Sequence, residues 1–249
     1  AYQAAATIAA VLAEVPPSVA HIVVVDDGSR DGTADAARSS GDPRVTVLQH
    51  PDNQGVGAAM VTGYRYALGL RSDIVIKVDA DGQMDLGQLP RLIEPILAGT
   101  ADYTKGNRFS TGADLEGMPW LRVFGNAVLS FMTKLSSGAW GVFDPCNGYT
   151  AIHRTALEGL DLERLHRRYF FESSMLVVLT VMRAVIEDVP IPARYRTEKS
   201  HLSIPRVILQ FPWLHLRYGA WRFLKRYMLH DFNACSLLVL LGLPVFLFG

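Results

Sequence analysis

Three short segments carry side chains suited to chemistry, and two of them follow an apolar run. Lys77-Val78-Asp79-Ala80-Asp81-Gly82-Gln83 places two carboxylates and a side-chain amide at the end of the apolar stretch 74–78. Where the backbone turns at a strand end, Asp79, Asp81 and Gln83 can converge into a hard oxygen site for Mg²⁺ or Mn²⁺, substrate phosphates completing the shell. A solvated acidic turn is the competing reading of a lone D-x-D. Val25-Asp26-Asp27-Gly28-Ser29-Arg30-Asp31-Gly32-Thr33 is a second acidic turn. Helix capping accounts for Asp31 or Thr33, while the adjacent Asp26 and Asp27 suit hydrogen bonds to a ligand's base or ribose. Asn53-Gln54-Gly55-Val56-Gly57-Ala58-Ala59 opens a helix with small residues. That fits either a ligand at the helix N-terminus or close packing of helix on sheet.

Alternating apolar runs and helical patterns must position these turns. Strands are expected at 21–25, 45–49, 74–78 and 103–106, and helices at 4–14, 33–40, 57–70 and 89–97. This is the βαβ signature of an α/β domain with a mostly parallel sheet, whose ligands bind at the carboxyl ends of strands. Both acidic turns fall there. Further on, 121–135 and 172–182 read as helices, and 149–152 and 184–190 as strands.

Charge then divides the chain. Lys+Arg and Asp+Glu balance at 24 each, yet residues 194–231 hold eight basic residues against two acids, leaving −6 elsewhere. Within that collar Trp213, Tyr218, Trp221, Phe223 and Tyr227 interleave with Arg217, Arg222, Lys225 and Arg226. Such a mixture suits a helix lying among headgroups, with each basic residue worth about 1 kcal/mol near an anionic surface. Nucleic acid is the competing partner, and the uncharged 16-residue run at 234–249 favours lipid instead. The run falls short of the about 20 residues of a span. With no Met at position 1, both ends are read as cut. The expected organisation is a catalytic domain at 1–200, a basic amphipathic interface region at 201–232, and the start of a transmembrane segment at 233–249. Cys146 and Cys235 lie far apart without C-x-x-C spacing, so free thiols are expected rather than a disulfide framework or zinc ribbon.

These motifs, in this order, resemble the inverting family 2 glycosyltransferases, and among them the dolichol-phosphate mannose synthase branch. Ala1-Tyr2-Gln3 is similar to the end of that family's V-I-P-A-Y-N-E strand. Asp26 to Thr33 is similar to D-D-G-S-x-D-G-T, Asn53 to Ala59 to N-x-G-x-G-x-A, and Asp79 to Gln83 to D-A-D-x-Q. The likeness extends over residues 1–200. It departs at Gln3, where the family usually has Glu, and at Arg196-Thr197-Glu198-Lys199-Ser200, which stands for R-x-x-G-x-S-K. The resemblance implies a GT-A nucleotide-diphospho-sugar transferase fold, here without its first strand. It also implies a donor site at Ala1, Tyr2, Gln3, Val25, Asp27, Asp79 and Ala80, and a metal held by Asp79, Asp81 and Gln83. Arg108 matches the family's G-x-R at sugar and acceptor. Asp144, in Asp144-Pro145-Cys146-Asn147-Gly148-Tyr149, matches D-x-x-x-G-F/Y beside the active site. Together with Asp81 and Glu172 these make the expected catalytic set.

The acceptor can be argued from chemistry. A hydroxyl nucleophile needs a base, whereas a phosphate monoester, with its second pKa near about 6, is already nucleophilic at neutral pH. The Q-x-x-R-W of processive polysaccharide synthases is absent. A phosphate beside a diphosphate needs cations, for which Arg108, Arg122, Arg196 and Lys199 are candidates, with Ser200. The expectation is inverting transfer of a hexose from GDP-mannose or a UDP-sugar to dolichyl or undecaprenyl phosphate. The place is a membrane's cytoplasmic face, the inner or plasma membrane in a prokaryote. No nucleic-acid partner is expected, and a homo-oligomer is left open. Two alternatives stand: transfer to a saccharide hydroxyl with Glu172 or Asp144 as base, and a silent nucleotide-binding membrane scaffold. Glu172 also has a bland reading, at a helix N-terminus.

Overall fold

Runs of Ile and Val between turn residues make the strands, and helical repeats rich in Ala and Leu cover them. The computed structural model describes residues 1–108, 120–192 and 204–248. β1 (Ile22–Asp26) runs parallel to β2 (Val45–Gln49), with α2 (Thr33–Arg38) between them in the chain. β3 (Ile74–Lys77), β4 (Tyr103–Asn107), β5 (Thr150–His153) and β6 (Ile186–Pro190) form a second sheet in the order β3-β5-β4-β6. β4 and β6 are parallel, but β5 is antiparallel to both of its neighbours. The sheet is therefore mixed, with the antiparallel β5 seated between β3 and β4.

The helices are α1 (Ile8–Glu14), α3 (Val56–Gly69), α4 (Leu89–Leu97), α5 (Trp120–Ser137), α6 (Arg154–Gly159), α7 (Phe171–Val181), α8 (Ile204–Phe223) and α9 (Ala234–Phe248). α8 continues into a π-helical stretch, Leu224–His230. The helix expected from residue 4 starts only at Ile8, because the preceding backbone is drawn away by β1's turn. Gln3 N donates to Ser29 Oγ, Ala4 N to Thr33 Oγ1 and Ala5 N to Asp31 Oδ2, at 2.8–3.0 Å.

α7 is apolar around its whole circumference from Met175 to Leu179, and residues 173–179 are buried. Met175, Leu176 and Leu179 are fully enclosed with Tyr64, Tyr103, Ile152 and Leu157. A second cluster joins Leu86, Leu92 and Ile96 to Tyr149, Val189 and Ile191.

α8 packs on α5 and α7 through aromatic contacts. The ring of Phe170 meets Phe211, His215 and Tyr218 at 4.7–5.3 Å between centroids. Arg222 Nε donates to the Ser136 carbonyl at 2.8 Å, and Arg226 donates to the Thr180 carbonyl. Both were expected at a headgroup surface, but they turn inward. The last carbonyls of a helix lack the amide four residues on; Arg222 fills that place at Ser136, and Arg226 adds to the Arg183 amide already on the Thr180 carbonyl. The outer face of α8 exposes Leu209, Trp213, Leu216 and, in the π-helical stretch, Leu224, while α9 exposes Leu238, Leu241, Val245, Phe246 and Phe248. Among the described residues no single helix is long and apolar enough to cross a membrane. The pair Leu209–His230 and Ala234–Phe246, bent by 115°, meets that length and composition together. Cys146 and Cys235 are free thiols.

Candidate active site

The carboxyl end of β1 holds Asp26 and Asp27, both buried. Asp26 accepts from Ser29 N at 3.2 Å and from Gln49 Nε2 at 3.1 Å. Asp27 Oδ1 accepts from Gln54 N at 3.0 Å and His50 Nδ1 at 2.7 Å, and Asp27 Oδ2 accepts from Gly55 N at 2.7 Å. Asp27 thus binds the residues leading into α3, whose N-terminal amides are otherwise orphaned. The small residues of that turn serve packing. A Cβ on Gly57 would overlap the His166 carbonyl, one on Gly55 would meet Arg167 O at 2.5 Å, and Ala58 N donates to Arg167 O at 3.0 Å. The N-terminus of α3 is closed by the chain itself. Gly28, at φ +70°, lies against Asp52 and Asn53, where a Cβ would stand 2.6 Å from backbone, so both the turn and the close approach require glycine.

The carboxyl end of β3 is built around a buried lysine. Lys77 Nζ donates to Asp79 Oδ1 at 2.7 Å and stands 3.5 Å from Glu172 Oε1, in the first turn of α7. Burial pulls the Lys77 pKa down, but the charges of Asp79 and Glu172 outweigh it and leave it raised. For Asp79 burial pushes the other way, and Lys77 outweighs it, holding the carboxyl below its ordinary value. Asp81 Oδ1 accepts from Gln83 N at 2.9 Å, so the turn folds back on itself. Gly148 lies directly over the pair: a Cβ there would run into Lys77 Nζ and Asp79 Oδ2. Lys105, fully enclosed on β4, donates to the Asn147 carbonyl, and burial pulls its pKa down.

Beyond β4, Arg108 grips Asp144 with both arms of its fork, Nε to Oδ2 at 2.7 Å and Nη2 to Oδ1 at 3.1 Å. Asp188, on β6, ties the neighbours of both residues: its Oδ2 accepts from Asn107 Nδ2 at 2.6 Å and from Phe143 N at 3.3 Å. Burial, with Asp144 nearby, pushes the Asp188 pKa up to about 6.

The residues expected at the donor, Ala1, Tyr2, Gln3, Val25, Asp27, Asp79 and Ala80, border one groove together with Asp81; the same groove runs on between apolar residues of α1, β1, α3 and β3. Arg108 and Asp144 form one pair, and Glu172 joins Asp79 through Lys77. Arg196, Lys199 and Ser200 lie outside the described residues, as does the side chain of Arg122. Lys77, Lys105, Gly148 and Asp188 were not singled out from sequence. Lys77 had a signal: a lysine interrupting Ile-Val-Ile-Lys-Val needs buried counter-charges.

The family model "Glycosyl transferase family 2" matches residues 3–161. The chain belongs to this family. UDP-N-acetylglucosamine–dolichyl-phosphate N-acetylglucosaminyltransferase of Methanococcus voltae is 31% identical to this glycosyltransferase over 205 residues, covering 77% of this chain and 81% of that protein. Undecaprenyl-phosphate mannosyltransferase of Micrococcus luteus is 33% identical over 173 residues, covering 68% and 70%. Glucosyl-3-phosphoglycerate synthase of Mycobacterium tuberculosis, solved with Mn²⁺, UDP and phosphoglyceric acid, superposes with a TM-score of 0.62 at 23% identity, covering 91% of this chain and 75% of that one. Mannosyl-3-phosphoglycerate synthase of Rubrobacter xylanophilus gives 0.64 at 20% identity, covering 94% and 74%. The glycosyltransferase therefore has the GT-A fold.

Proposed function

We propose that this glycosyltransferase moves a hexose from a nucleotide sugar to a polyprenyl phosphate at a membrane surface, inverting the anomeric carbon. The observation that carries the reading is the state of the two carboxylates suited to act as base. Asp144 is held in a two-pronged pair with Arg108, and Glu172 faces Lys77 at 3.5 Å. Each of these carboxylates is already engaged by a cation, and an acceptor ionised at neutral pH needs no base, so it fits this site better than a hydroxyl. The names of the Methanococcus and Micrococcus relatives agree with a polyprenyl-phosphate acceptor.

The donor occupies the groove, with Tyr2, Gln3, Val25 and Ala80 beside its nucleoside; Asp27 acts from beneath by fixing the turn before α3. Asp79, Asp81 and Gln83 would hold a divalent ion. The donor set fits: Lys77 keeps Asp79 ionised, and all three supply hard oxygens. Two carboxylates and one amide leave the shell of such a cation incomplete, and the diphosphate would supply further ligands. The ion's chemistry is to neutralise charge on the departing nucleoside diphosphate. Arg108 is placed for sugar and acceptor phosphate, with Arg122, Arg196, Lys199 and Ser200 proposed beside it. The exposed apolar faces of α8 and α9 suit a lipid surface, and we assign residues 201–249 to it.

The test supplies the protein with labelled UDP-N-acetylglucosamine, UDP-glucose or GDP-mannose and a polyprenyl phosphate, in Mn²⁺. An organic-extractable product that disappears in Asp81→Ala is expected. Transfer confined to water-soluble saccharides would overturn the reading.

A further inference from the structure

The loop at residues 163–168 and α8 border a second, open concavity of about 370 Å³, whose lining includes Arg164, His166, Arg167, Arg168, Arg217 and Tyr218. Its charge is unbalanced. Among the described residues no carboxylate pairs with Arg167, Arg168 or Arg217. Glu163 also lines the concavity, but its carboxylate is ion-paired with Arg65. Arg164 lies over the Trp221 ring, 4.9 Å from its centroid, with Nε 3.9 Å from Asp161. His166 registers the resulting field: burial first, then the charges of Arg168 and Arg217, hold its pKa below the ordinary value.

The frame carrying these groups is fixed. Tyr218 donates its hydroxyl to the Arg164 carbonyl at 2.8 Å, and the Arg167 carbonyl accepts from Ala58 N at 3.0 Å. His166 N donates to Ser174 Oγ at 2.9 Å. Arg167, Arg168 and Arg217, gathered on a fixed frame with no carboxylate among the described residues paired to them, repel one another, and a doubly or singly charged oxyanion relieves that repulsion. Forked donors suit phosphate in particular.

We propose that this concavity is a phosphate-binding site, with Arg167 and Arg217 as its principal ligands. Arg168 borders both the concavity and the donor groove, while neither Arg167 nor Arg217 lines the groove. The phosphate can come from an anionic phospholipid headgroup or from solution. Position favours the headgroup, because Arg217 stands beside the exposed Trp213 and Leu216 on α8. The lipid source rests on the membrane reading above; the anion site does not.

The whole chain and its Arg167→Gln/Arg217→Gln variant are compared in two arms. In the first, sedimentation with vesicles of phosphatidylcholine alone is set against vesicles of equal parts phosphatidylcholine and phosphatidylglycerol. The wild type is expected to prefer the anionic vesicles, and the variant to lose about thirty-fold of that preference, roughly five-fold per guanidinium. In the second, inorganic phosphate is titrated while thermal unfolding is followed. A stabilisation present in the wild type and absent in the variant, without a vesicle effect, assigns the site to soluble phosphate. Equal vesicle preference together with equal phosphate response in both proteins overturns the site. Transfer to detergent-dispersed polyprenyl phosphate, read in parallel, separates this outcome from failure of the proposed reaction, since neither arm needs turnover.

Discussion

Gly148→Ala puts the architecture of the acidic turn under direct strain. The added methyl would lie inside contact distance of Lys77 Nζ and Asp79 Oδ2, and 3.2 Å from Asp79 Cγ. Neither neighbour is a loose chain end: Lys77 is 4% exposed and bonded at 2.7 Å to Asp79. The methyl is accommodated only if β5's approach segment shifts or the pair opens. Overpacking of this kind costs about 1–3 kcal/mol, and opening a buried ion pair adds to it, so a loss of about 2–4 kcal/mol is expected in urea unfolding. Asp79 displaced by about 1 Å should cost on the order of a hundred-fold in transfer rate. Mn²⁺-dependent UDP binding should weaken in parallel. The control is Gly69→Ala at the end of α3, where nothing lies within 4 Å; it should leave the rate unchanged and gain up to about 1 kcal/mol. If Gly148→Ala unfolds and turns over like the wild type, the placement of Gly148 on the Lys77–Asp79 pair is wrong.

Lys77→Met should cost about 3 kcal/mol in urea unfolding, the low end for stranding a buried partner because Asp79 is 38% exposed; a neutral substitution would show that Asp79 and Glu172 do not depend on it. Arg108→Lys replaces a fork by a point charge and should lose about 1–2 kcal/mol of stability and at least about ten-fold in transfer rate, both measurable on purified protein. The raised pKa of Asp188 sets a pH signature: this carboxyl's contribution to stability is present in full below about pH 4 and is lost as pH rises through about 6. Asp188→Asn should flatten the fall of Tm across that window, and an unchanged slope would assign it to another group.

Much of this arrangement could be read in the chain, wherever chemistry and local pattern coincide. β1 and β3 follow from Ile/Val runs ending in acidic turns, β2 from the short apolar run before His50-Pro51, and α3 from small residues at helical spacing. The direction of β5 could not be read, because a short apolar run looks the same whichever way its neighbours point. α6 is only six residues long, too short to show a period. That Asp27 also fixes the turn before α3 could not be read, because its partners at positions 50, 54 and 55 lie more than twenty residues along the chain. Arg222 and Arg226 read as surface cations for the same reason: the carbonyls they satisfy belong to helices at least forty residues earlier.

α7 links two regions of the molecule that sequence separates. Its first turn holds Glu172 against Lys77, and near its other end the Thr180 carbonyl takes the guanidinium of Arg226. Eleven residues at a rise of about 1.5 Å make a rod of about 16 Å, packed in the core. On the membrane reading proposed above, a tilt of α8 and α9 would be carried along this rod to Glu172, and the seating of those helices on a lipid surface would become a mechanical input to the acidic turn.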